Sequence, residues 1–110
     1  MTTVADQRRY DKLQDIGCIA CFIDQRAGVP GDIHHLVDKG SRELSGGNQS
    51  SFVLCPWHHR GVVPPRETIA STTTKYGPSL RRNSKLFHQT YGSQRDLLAK
   101  ANAELGIITV

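Results

Sequence analysis

The sequence predicts a small α+β domain: a ββα unit held together by a bound metal, with helices on either side. Three observations lead there. Two short apolar segments, Ile33–Val37 and Ser51–Leu54, have strand length, and the second runs straight into Cys55-Pro56-Trp57-His58-His59, where a proline suits a first helical turn. Amphipathic segments lie at both ends, Ala5–Ile16 and Ser93–Leu105. Between them stand two Cys/His pairs at ligand spacing, in a chain with only 37% hydrophobic and 6% aromatic residues. So thin a core supply calls for an internal staple.

The elements follow in order. Ala5–Ile16 places Tyr10, Leu13 and Ile16 on one helical face, and Gly17 stops it. Cys18–Ile23 is a short apolar stretch, expected as a knuckle loop that turns under a metal, and a Gly-Pro-Gly-containing turn follows at residues 28–31. After the Ile33–Val37 strand, Lys39–Ser51 is rich in Gly, Ser and Asn without periodicity, and is predicted as a loop. The helix entered at Pro56 carries His58 and His59 and ends near Gly61, because Pro64 and Pro65 intervene. Thr68–Thr74 is expected as a Thr/Ser-rich connection. Ser84–Tyr91 is a helix closed by Gly92, and the last helix has Ser93 as its N-cap and Gly106 as its stop. The 110 residues allow one domain.

Charge narrows the partner. The net charge is +4; residues 1–55 carry six basic and seven acidic side chains, residues 56–110 eight basic and three acidic. A cationic second half suits a polyanion. No stretch approaches the ~18 apolar residues of a membrane span and no leader opens the chain, so a cytoplasmic protein is expected.

Cys18-x-x-Cys21 and Cys55-x-x-His58 each let two side chains reach one tetrahedral ion, and together they use every cysteine in the chain. A structural Zn²⁺ is the reading. A redox Cys-x-x-Cys would belong with a thioredoxin-like strand–helix pattern, which is missing. His59 in place of His58 is also an allowed zinc ligand, since Cys-x3-His spacing serves. His34 and His35 must point to opposite faces of a strand, and His59 is turned about 100° from His58 on its helix. One ββα geometry reconciles these facts: His34 and His59 converge on a second, catalytic ion, while His35 stands beside a bound phosphate as general base. Two imidazoles suit Mn²⁺, Co²⁺ or Ni²⁺ better than Mg²⁺. Asn48 is a candidate for fixing the loop before the second strand.

Cys-x-x-Cys, His-His-Leu, a Gly-rich loop and Leu-Cys-x-x-His-His resemble the HNH (His-Me finger) endonucleases that carry a zinc knuckle. The resemblance implies a ββα-metal fold, with His34 and His59 holding the catalytic ion and His35 as the base. Ile33–Leu36, Ser51–His59, Gly77–Leu80, Lys85–Phe87 and Tyr91-Gly92 are more narrowly similar to phage-borne recombination-enhancement nucleases of the Ref type, over about residues 17–105. That implies DNA cleavage in phage or prophage recombination, with RecA filaments as a further partner. His34 stands where many HNH enzymes carry Asp. Arg60, Arg66, Lys75, Arg81, Arg82 and Lys85, with the single acid Glu67 among them, are the expected phosphate contacts. The rival function is a non-catalytic zinc-finger DNA-binding or regulatory module. The His34-His35 doublet separates the two, since a binding module has no need of it.

Overall fold

A computed structural model describes residues 2–106. In chain order it contains α1 (Val4–Ile16), α2 (Ile19–Ile23), β1 (Asp32–His35), β2 (Ser51–Leu54), α3 (Pro56–Arg60), α4 (Ile69–Tyr76), α5 (Ser84–Tyr91) and α6 (Gln94–Glu104). β1 and β2 form a two-stranded antiparallel sheet with His34 opposite Phe52 and His35 opposite Ser51. The architecture is the expected α+β, with helices around a small sheet.

Local chemistry sets the boundaries. Thr3 and Asp6 form a reciprocal capping box at the start of α1. Gly17 ends it with φ of +79°, and a Cβ there would lie 2.5 Å from the Val29 nitrogen, so only glycine lets the chain turn back against residues 28–29. Cys55 caps α3 and Pro56 occupies its first turn, as its sequence predicts. Ser93 caps α6 in a second capping box with Asp96.

Three expectations change. Cys18–Ile23 is helical rather than a loop: the Cys18 sulfur accepts the Cys21 N–H and caps α2. Thr68–Thr74 is not a plain connection, because α4 begins at Ile69. Threonine hydroxyls commonly compete with a helix for its backbone groups. Here Thr68 and Ser71 are used in a capping box, and the Thr72, Thr73 and Thr74 hydroxyls donate to carbonyls four residues back, at 2.6, 2.8 and 3.0 Å. β1 stops at His35, two residues short of the expected end, although the Leu36 N–H still donates to Ser50 O.

β2 is buried along its whole length, with α1, α2, α3 and α6 packed around it. Phe52, Leu54, Leu36, Leu13, Ile19, Phe87 and Leu97 make the centre of the core. The buried Arg9 guanidinium donates to Ser51 O at 2.6 Å and to Asn102 Oδ1 at 2.8 Å, tying α1 to β2 and α6. Among the described residues no helix is long and apolar enough to cross a membrane.

Candidate metal centre and histidine site

Cys18, Cys21, Cys55 and His58 converge in the interior. All four are buried and their ligand atoms lie within 4.8 Å of one another. The His58 Nδ1 sits 3.4, 3.5 and 3.2 Å from the sulfurs of Cys18, Cys21 and Cys55, and the Cys21 and Cys55 sulfurs are 3.9 Å apart. A tetrahedral zinc with sulfur at ~2.3 Å and nitrogen at ~2.0 Å sets its ligands about 3.8 Å (S···S) and 3.5 Å (S···N) apart. The donor set therefore fits such an ion, and the three thiols are free of disulfides. The electrostatics agree. Burial works against charge on His58, yet the Cys21 and Cys55 sulfurs outweigh it and raise the ring to about 9. Hydrogen bonds from Cys18, Cys21 and His58 hold the Cys55 thiol low. A cluster that draws a proton onto a buried imidazole is one that favours a cation at its centre.

The far side of His58 is also engaged. Its Nε2–H donates to Tyr76 O at 2.7 Å, so that Nδ1 is the nitrogen facing the sulfurs and the one an ion would take in place of the proton. The Tyr91 hydroxyl donates to Asp24 Oδ2 at 2.7 Å and lies 3.4 Å from His58 Nε2. Tyr76, Tyr91 and Asp24 carry no motif, and only the folded chain brings them here.

His59 faces elsewhere, as its 100° rotation along α3 requires. Its Nε2 is 3.3 Å from His34 Nδ1 on β1. Behind it, His59 Nδ1–H donates to Asp32 Oδ2 at 3.1 Å, and behind His34, Nε2–H donates to Gln94 Oε1 at 3.0 Å. Each ring thus has an acceptor behind it, and the nitrogens His34 Nδ1 and His59 Nε2 face each other across the gap. Burial, together with the neighbouring imidazoles, lowers the His34 pKa and keeps that ring neutral. Adjacent ligands ~2.1 Å from one ion stand about 3.0–3.4 Å apart, so this spacing suits a shared cation. Among the described residues, no third His, Cys, Asp or Glu joins the pair in a ligand cluster.

His35 turns to the opposite face. Its Nε2 lies 3.1 Å from Asn48 Oδ1 and 3.2 Å from the Tyr10 hydroxyl. Burial, then the nearby charge of Arg42, lowers its pKa, so the ring is neutral near pH 7. Asn48 thus reaches the histidine itself through its side chain, and not only the loop around it.

The model of one protein family, described as recombination enhancement, RecA-dependent nuclease, matches residues 2–106. The chain belongs to this family. No curated protein matches it. Membership makes the chain a nuclease acting in recombination, with DNA as its substrate class.

The cations expected from the sequence are placed as follows. Arg60 Nε donates to Asp32 Oδ2 at 2.9 Å, beside His59. Lys75 pairs with Glu67, and Arg82 Nε donates to Gly61 O at 2.8 Å. Arg66, Arg81 and Lys85 are exposed. Sequence reasoning passed over Arg42, an exposed loop cation whose charge reaches His35. The signal for it was a basic residue in the loop just after the histidine doublet.

Proposed function

We propose that this family member is an HNH-type, metal-dependent DNA endonuclease in which a structural zinc in Cys18, Cys21, Cys55 and His58 supports a one-ion catalytic centre. The observation that carries the reading is the His34–His59 pair: His34 Nδ1 and His59 Nε2 stand 3.3 Å apart, with Gln94 and Asp32 behind the two rings. With the ring protons taken by Gln94 and Asp32, a divalent ion between the two nitrogens satisfies both lone pairs. β1, β2 and α3 then form the ββα-metal unit.

Among the described residues β1 has a neighbour on one side only, so a phosphodiester lying across its free edge would meet His35 on one face and the His34–His59 pair on the other. His35 Nδ1 takes a proton from water. The resulting hydroxide attacks phosphorus, the bond to the 3′-oxygen breaks, and that oxygen leaves after taking a proton from solvent. The ion, Mn²⁺ or Ni²⁺ better than Mg²⁺ given two imidazole ligands, would supply charge neutralisation on the phosphoryl and leaving oxygens. Arg60, Arg66, Arg81 and Lys85 hold flanking phosphates, with Lys75 and Arg82 at the margin. Sequence readout is expected to be weak, since phosphate contacts carry no base information. The family description supports RecA filaments as the setting in which the DNA is presented.

Plasmid nicking with Mg²⁺, Mn²⁺ or Ni²⁺, with and without RecA and ATP, tests this. Wild type is expected to nick, and His35→Ala to lose about 10²–10⁴ in rate, the usual contribution of a general base. Equal rates would remove His35 from the chemistry. No cleavage under any condition would leave a zinc-stabilised binding module.

A further inference from the structure

The N-terminal helix reaches into the histidine site in a way that helix capping does not explain. The Asp6 side chain belongs to a residue only 8% exposed and receives three hydrogen bonds. One comes from the Thr3 N–H at 3.0 Å and belongs to the capping box of α1, in which the Thr3 hydroxyl accepts the Asp6 N–H in return. The other two come from side-chain amides far along the chain, Asn48 Nδ2 to Oδ2 at 3.0 Å and Gln49 Nε2 to Oδ1 at 2.9 Å. A cap needs neither.

We propose that Asp6 is a positioning residue for the general base: through the Asn48 amide it holds His35 in the tautomer whose Nδ1 carries the lone pair. The inference rests on the reading of His35 as base. A carboxylate only accepts, so the NH₂ end of Asn48 must face Asp6 and its Oδ1 must face His35. An amide oxygen also only accepts, so His35 Nε2 must carry the hydrogen. A neutral imidazole has one N–H, and Nδ1 is thereby left unprotonated. Tyr10, one helical turn beyond Asp6, stands edge-on to the His35 ring at 83°, and its oxygen shares the same Nε2–H. Replacing Asp6 by Asn removes the constraint: the Asn48 amide is then free to flip, present its NH₂ to Nε2 and favour the unproductive tautomer.

Two measurements decide it. Nitrogen-15 NMR of the imidazoles in the wild-type protein is expected to show His35 as the Nε2–H tautomer. A His35 found as Nδ1–H overturns the proposal, and this holds even if Asp6→Asn fails to fold. In cleavage assays normalised to bound zinc, Asp6→Asn is expected to lower kcat about tenfold to hundredfold with KM for DNA unchanged. Asp6→Asn in an Asn48→Ala background should cost nothing further, because the route passes through that amide. Wild-type kcat in Asp6→Asn, or losses that multiply in the double variant, also overturn it. If His35→Ala itself cuts at the wild-type rate, the general-base reading fails, and the proposal with it.

Discussion

At the scale of single residues, the question is how two adjacent histidines take different duties. His58 and His59 are neighbours on a helix, and His34 and His35 are neighbours on a strand, so each doublet splits by backbone geometry alone. What sorts the rings is the group behind each one. Tyr76 O accepts from His58, Asp32 from His59, Gln94 from His34 and Asn48 from His35, and every acceptor decides which nitrogen is left to work. His58→Ala is accordingly expected to lose bound zinc and cooperative folding together, read by metal analysis and circular dichroism. His59→Ala should keep both and lose divalent-dependent cleavage. The reverse pattern would exchange their assignments. The sequence left His58 and His59 as alternative zinc ligands because both spacings are allowed; the burial of one ring against three thiols separates them.

At the scale of elements, α4 shows how a segment without a motif supports the metal centre. Its threonines satisfy their hydroxyls within the helix, and its C-terminal carbonyl, Tyr76 O, orients His58. Gly77 then ends it with φ of +85°, and a Cβ there would lie 2.1 Å from the Tyr91 hydroxyl. Gly77 O also accepts the Trp57 Nε1–H at 2.9 Å, which joins the end of α4 to α3. Gly77→Ala is expected to destabilise the fold by about 1–3 kcal/mol from backbone strain alone, and to speed zinc loss to a competing chelator. A denaturant melt unchanged from wild type would show that this junction can relax. Periodicity missed α4 because it is carried by hydroxyl chemistry rather than by an apolar stripe. It found α1, α5 and α6, whose buried positions recur at helical spacing.

At the scale of the whole molecule, the proposed metals do separate work. The Cys₃His cluster joins α2 to α3 across residues 22–54, and β1 and β2 lie within that span. The His34–His59 pair lies at the surface of the same unit, with both rings only partly buried. Mild chelation is therefore expected to abolish cleavage while far-UV circular dichroism stays unchanged, with activity restored by Mn²⁺ or Ni²⁺. Stronger chelation that strips zinc should unfold the chain. Loss of both signals in one step would mean that one ion serves both purposes. The ion pairs Arg95–Asp38 at 2.7 Å, Arg60–Asp32 and Lys75–Glu67 reduce the free charge of the surface, so among the proposed phosphate contacts the exposed Arg66, Arg81 and Lys85 are expected to weaken DNA binding more than Arg60 when replaced by alanine.

The sequence by itself determined the α+β class, the four-residue Cys/His cluster, the two histidine doublets and their family likeness. These depend on ligand type, short spacing and local periodicity, all of which are written along the chain. Tertiary structure alone decided which imidazole nitrogen faces which partner, and it brought in Asp6, Tyr10, Asp24, Asp32, Tyr76, Tyr91 and Gln94. Those residues act through single hydrogen bonds to groups distant in sequence. A hydrogen bond across packed elements depends on where the folded backbone puts its donor and acceptor, and it leaves no period or spacing to read.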